Sequence, residues 1–277
     1  MHTNPNRTLS YAVTYLILGF FAITVLVPML WAIGTSLKTY GEVFSDPLAF
    51  VPDVPQWDNY AEIFRIAPFA RYFVNTVIVS LFVCAVTLLT SAMSAYAFAR
   101  LKFPGRETIF VLYLATMMIP QQVILIPNFV IIREMGLIDS LAALILTRSF
   151  LPLGTFLLRQ FFMGIPQELE EAAVIDGLGY TKRFVSIILP LAKPALVSLL
   201  IITLLLAWND YLYPLVFIQS DSNRTLTLGL SILQGDLDVR WNLVLAATLV
   251  TVAPLVVVYL ALQRFFIEGI ALSGTKG

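Results

Sequence analysis

The chain has 277 residues, 59% of them hydrophobic and 12% charged, with a mean hydropathy of +0.87. A soluble domain carries about 25% charged residues, so this chain lacks the polar surface to face water on every side, and lipid is the natural solvent for most of it. The 17 basic and 17 acidic residues cancel. A lone histidine, His2, excludes histidine-based catalysis and a Cys/His zinc cluster, and a lone cysteine, Cys84, excludes an internal disulfide.

A membrane-spanning helix needs about 20 mostly apolar residues. Six stretches qualify: 11–34, 69–99, 107–131, 140–158, 194–218 and 242–265. The first is too long for the core of a signal peptide and runs through Pro28 and Trp31 without a small-residue cleavage pattern, so a retained helix is expected. The pattern predicts an all-α fold, a polytopic transmembrane helical bundle of six spans forming one domain over 1–277. Pro28, Pro120, Pro127 and Pro254 fall inside spans, where proline is tolerated.

Six spans put both termini on one side. With cytoplasmic termini, the inner segments hold Arg7, Arg100, Lys102, Arg106, Arg159, Lys182, Arg183, Lys193, Arg264 and Lys276. The outer segments hold fewer: Lys38, Arg65, Arg71, Arg133, Arg224 and Arg240, with Arg148 left inside a span. Positive residues favour the cytoplasmic side, most strongly in short loops such as 100–106. A multi-pass protein of the cell inner membrane with both termini inside is therefore expected.

One long inner loop, 160–193, joins the fourth and fifth spans. Glu168, Glu170, Glu171 and Asp176 together would cost on the order of 10 kcal/mol at mid-membrane, so the loop belongs at the membrane face. Pro166 suits a first helical turn, and the three glutamates suit the positive end of the helix dipole. Gly177 and Gly179 permit a left-handed helix end. Thr181 is placed to cap a second short helix through Leu189, closed by Pro190 and Pro194. Leu169, Ala172, Ala173 and Asp176 recur at helical spacing and form one stripe, with carboxylates beside it for a partner's Arg or Lys.

The run Glu171-Ala172-Ala173, three residues, Gly177, nine residues, Ile187, one residue, Leu189-Pro190 resembles the full EAA loop of bacterial ABC importer permeases. Leu157 to Phe162, Trp208-Asn209-Asp210, and the ending Gln263 to Gly269 with Lys276-Gly277 resemble the smaller six-span permease of the maltose-type, carbohydrate branch. The resemblance implies a type I ABC importer permease forming half of a path for a carbohydrate or related polar solute. Glu171, Ala172, Ala173, Asp176, Gly177, Ile187 and Pro190 would then couple it to a separate ATPase. It implies as partners a second homologous permease, two ATPase subunits, an extracytoplasmic substrate-binding protein and membrane lipid, with no nucleic acid. Importers of glycerol-phosphate-type solutes look alike at this level.

No G-x-x-x-x-G-K-S/T phosphate loop occurs, so the chain is expected to be a non-catalytic subunit without a cofactor or metal of its own, ATP and magnesium sitting on the partner ATPase. An ion-coupled secondary transporter is the rival from another class; it would call for inverted repeats and several intramembrane acids, and neither is visible. Depth arithmetic at 1.5 Å per residue puts Arg148 about 13 Å, Asp210 about 12 Å and the pair Gln121 and Gln122 about 14 Å below the outer ends of their spans. Trp208 and Asn209 lie beside them. Two readings stay open: Arg148 neutralises Asp210 as a structural pair, or these groups line the solute path. In the second, Arg148 would favour an anionic solute.

Overall fold

The computed structural model describes residues 5–235 and 239–274; His2, Lys276 and Gly277 lie outside the described residues. In chain order the helices are α1 (Pro5–Ser36), α2 (Tyr40–Ser45), α3 (Asp58–Ile66), α4 (Phe69–Arg100), α5 (Arg106–Ala115), α6 (Gln121–Glu134), α7 (Leu141–Arg148) and α8 (Pro152–Met163). They continue with α9 (Glu168–Ile175), α10 (Tyr180–Arg183), α11 (Leu189–Leu191), α12 (Lys193–Trp208), α13 (Leu212–Phe217), α14 (Leu226–Ile232) and α15 (Trp241–Gly274). A π-helical turn, Phe184–Ile188, joins α10 to α11, and the described residues contain no strand.

Three stretches are long and apolar enough to cross a membrane unbroken: Val13–Ser36, Phe69–Arg100 and Trp241–Gln263. Three pairs qualify only together, bent between their halves: Arg106–Met118 with Gln121–Glu134 by 97°, Leu141–Arg148 with Pro152–Met163 by 44°, and Tyr180–Leu191 with Lys193–Trp208 by 78°. Counting each pair as one crossing yields six.

The third, fourth and fifth spans thus differ from the continuous helices expected at 107–131, 140–158 and 194–218. Prolines account for two of the breaks. A residue before proline is pushed out of the helical region by the ring. Ile119 (φ −83°, ψ 116°) precedes Pro120 and ends the third span's first half; Leu151 (φ −123°, ψ 100°) precedes Pro152 in the fourth. The fourth span also runs on to Met163. The 78° bend of the fifth pair falls at Ala192, ahead of the expected 194–218; within that stretch a further break follows Trp208, without a proline. There Asn209 Nδ2 donates back to the Leu205 carbonyl at 2.9 Å, and Asp210 Oδ1 accepts from the Tyr213 N–H at 3.4 Å. Side-chain bonds of this kind compete with the helical ladder, and Leu212–Phe217 becomes the separate helix α13.

Contacts group the chain into two compact units, Met1–Phe69 with Leu230–Ala253, and Ala70–Gly229 with Pro254–Gly277. In the first, α1 is apolar and largely exposed from Val13 to Leu30, with its last turn, Gly34 to Ser36, buried, as befits a helix solvated by lipid. Its end is closed by a polar knot. Lys38, 1% exposed, donates to the Asp46 carbonyl at 2.7 Å. The Asn59 amide donates to the Ser36 and Lys38 carbonyls at 2.8 and 3.0 Å, and the Asn242 amide to Asn59 Oδ1 at 3.2 Å.

The second unit holds two apolar clusters. One gathers Val79, Val83, Ile132, Leu144, Tyr213, Phe217 and Ile218; the other gathers Ala92, Ala95, Tyr96, Leu158, Phe162, Ile188 and Leu199. Gly154 allows the close approach in the latter region, since a Cβ there would stand 2.6 Å from Ser91 Oγ and 3.0 Å from a Leu199 methyl. The carbonyl freed at the break between α7 and α8 is re-satisfied from α4: Thr87 Oγ1 donates to Ser149 O at 2.8 Å. Such repair makes a broken helix tolerable inside a membrane.

Candidate functional site

The breaks within the third and fourth spans, and the separate break between α12 and α13, each bring a polar side chain into one cluster. Arg148, the last residue of α7, places Nε 2.9 Å from Asp210 Oδ2, in the break after α12. Its terminal nitrogen donates to Gln121 Oε1, at the start of α6, at 2.7 Å. The guanidinium carbon lies 4.7 Å from the centre of the Tyr213 ring, which stacks on Phe217 at 5.7 Å. The side chains of Arg148 and Asp210 are only 15% and 10% exposed. A buried charge is costly unless paired and hydrogen-bonded; here one carboxylate, one amide oxygen and one aromatic face satisfy the guanidinium. The cluster carries no net charge.

Beside it lies a cavity of about 570 Å³ whose polar lining is Tyr113, Thr116, Gln121, Thr147, Arg148, Thr203 and Tyr213, with Val83, Ile124, Phe150 and Leu206 among the apolar walls. The buried hydroxyl of Thr203 finds no hydrogen-bond partner among the described residues. Depth counting brought Gln121, Arg148 and Asp210 to one level, and the structure joins them. Gln122 is exposed and outside the lining, Asn209 is exposed and bonded to its own helix, and Trp208, 5% exposed, packs edge-on against Phe73 at 6.0 Å. Tyr113, Thr116, Thr147, Thr203 and Tyr213 went unnoticed in the sequence. Only Tyr213 carried a signal, one helical turn beyond Asp210.

The second site is the loop helix α9. Gly177 has φ +76°, the Leu178 N–H bonds the Ala173 carbonyl at 2.9 Å, and the Gly177 N–H bonds the Val174 carbonyl at 3.0 Å. These two bonds form a complete left-handed helix stop. Other local expectations shift. Gly179 is extended (φ −72°, ψ 169°) and caps α10, so Thr181 lies inside α10 and is not its cap. Pro166 precedes the helix, which starts at Glu168 after Gln167. Ile187 sits in the π turn, whose last bond runs from the Leu189 N–H to the Phe184 carbonyl; Pro190, with no N–H to continue the ladder, follows directly.

The expected stripe divides between two faces. Leu169, Ala172 and Asp176 are exposed, as is Glu171 beside them, whereas Ala173 is 5% exposed and turned inward. Apolar exposure on α9 is led by Ile175 at 86%, with Val174 at 51%, neither of them in the expected stripe. Glu170 is buried at 7% and paired within the chain, so only Glu168, Glu171 and Asp176 offer carboxylates outward.

A broken-helix membrane bundle with a polar mid-span cavity and an amphipathic surface helix defines a transport permease. Residues 88–271 match the family described as binding-protein-dependent transport system inner membrane component, and the chain belongs to that family of ABC transporter permeases. It is 37% identical to the inner membrane ABC transporter permease protein YcjP of Escherichia coli, over the full length of both chains. It is 34% identical to a diacetylchitobiose uptake system permease of Streptomyces coelicolor, covering 91% of this chain and 85% of that one. It is equally, at 34%, identical to an sn-glycerol-3-phosphate transport system permease of Pectobacterium atrosepticum, covering 92% and 93%. The fold is similar to that of a chain from a bacterial ABC transporter that imports the acidic polysaccharide alginate, with a TM-score of 0.83, 23% identity and coverage of 96% and 99%.

Proposed function

We propose that this chain lines one half of the path by which a neutral, hydroxyl-rich solute, a carbohydrate or close relative, crosses the inner membrane. A second homologous permease supplies the other half. Two ATPase subunits, which hold the ATP and magnesium, dock on α9 through Leu169, Glu171, Ala172, Ile175 and Asp176. An extracytoplasmic binding protein delivers the solute at the opposite face, with both termini and the 160–193 loop cytoplasmic.

The observation that carries this reading is the neutral cavity. Threonine and tyrosine hydroxyls and one amide suit a polyol, and the one cation in the lining, Arg148, is already engaged by Asp210 and Gln121. A glycerol-phosphate-type solute would need that guanidinium free. The test is ATPase stimulation of the reconstituted complex with its binding protein, across neutral di- and oligosaccharides and glycerol phosphate. Neutral sugars are expected to stimulate. Stimulation by the phosphorylated solute alone would overturn the assignment.

A further inference from the structure

Of the three glutamates of α9, Glu168 and Glu171 face outward, while Glu170 turns into the protein. Its Oε1 lies 3.0 Å from Arg100 Nε. Its Oε2 accepts from the Tyr96 hydroxyl at 3.2 Å and lies 4.0 Å from a terminal nitrogen of Arg183. Arg100 is the last residue of α4, and its Nη2 donates to the Phe162 and Ile165 carbonyls, at the end of α8 and just beyond it, both at 2.6 Å. The side chains of Glu170 and Arg100 are 9% and 6% exposed. The only other buried residue of α9 is Ala173, so one methyl group and one carboxylate hold the helix to the body of its unit.

We propose that Glu170 is a positioning residue for energy coupling: its ion pair with Arg100 joins α9, the end of α4 and the end of α8 into one rigid body. A displacement of α9 is thereby delivered to the second and fourth spans. The inference rests on the reading of α9 as the ATPase-docking helix, yet it differs in kind, because Glu170 is buried against Arg100 of this chain. A buried pair suits the role. Apolar contacts slide at little cost, whereas separating two desolvated charges is steeply unfavourable.

The experiment uses the whole importer, with both permeases, the ATPases and the binding protein, in liposomes. Glu170→Gln keeps the side chain's shape. Assembled complexes are expected to lose transport per ATP hydrolysed by roughly tenfold, the usual scale of a coupling free energy, with ATPase subunits still bound in full. Glu170→Gln combined with Arg100→Gln, which removes the uncompensated charge, is expected to keep assembly intact and coupling still lost. An unchanged ratio of transport to hydrolysis in Glu170→Gln overturns the proposal, as does recovered coupling in the double variant. A second measurement leaves the pair intact: spin labels at Glu168→Cys and Met93→Cys, with the complex nucleotide-free and then trapped with ATP. An unchanged distance is expected, and a distance that changes between the states overturns the proposal. Failure of the unsubstituted complex to hydrolyse ATP in response to loaded binding protein would instead refute the docking reading itself.

Discussion

Arg148→Ala is the most informative single perturbation of the mid-span cluster. It removes the partner 2.9 Å from Asp210, the donor to Gln121 and the cation over Tyr213. Asp210 is then left desolvated in a break that has no proline to define it. Removing one partner of a buried ion pair costs about 3–5 kcal/mol. At roughly 2–4 °C per kcal/mol for a chain of this size, the thermal transition in detergent should fall on the order of 10 °C. Asp210→Ala should cost a similar amount, and more where Gln121 and Tyr213 fail to satisfy the stranded guanidinium. Replacing both should recover at least half of the larger single loss, because neither charge is then left unpaired. The assay is a double-mutant cycle on fluorescence-detected thermal melts, with ATPase stimulation by each solute measured beside it. Losses that simply add in the double variant would refute the pair as the brace between the ends of α7 and α12. Restored stability with altered solute preference would place the same residues in the path as well.

Three further outcomes are expected. Gly177 holds φ +76° with open space around an added Cβ, so Gly177→Ala should cost about 1–2 kcal/mol from backbone conformation alone and uncouple transport, whereas Gly177→Asn, which tolerates that conformation, should stay near wild type in transport assays. Cysteines at Asp53 or Ser222 should label with an impermeant reagent in intact cells and those at Gly105 or Gln167 should not, Cys84 staying silent because it is buried at 4%; the reverse pattern would invert the topology. Asp139 has its pKa lowered below the ordinary 3.8, chiefly by the Ser220 backbone N–H and further by that of Gln219. A depressed carboxylate adds stability above its unfolded pKa and loses it as pH falls through the folded one. Acid melts below about pH 4 should therefore separate wild type from Asp139→Asn less than melts at pH 7 do.

The sequence by itself determined the membrane class, the six apolar stretches, the left-handed stop at Gly177 and the shared depth of Gln121, Arg148 and Asp210. Each of these is local or additive: hydropathy sums over a window, a glycine's conformational freedom belongs to the glycine, and depth along a helix is a count. Pro120 stood out inside its span and Pro152 did not, and neither told whether the ring would kink or break the helix. That depends on whether a neighbour, such as Thr87 reaching the Ser149 carbonyl, satisfies the freed backbone. Only the tertiary structure decided that Arg148 is already engaged, which makes the cavity neutral. It alone also turned Glu170 and Ala173 inward while leaving Ile175 outward on a helix whose glutamates look equivalent in the sequence. The physical reason is the same in both cases. The cost of burying a charge is set by its partners, and those partners come from distant helices whose approach no short stretch of sequence encodes.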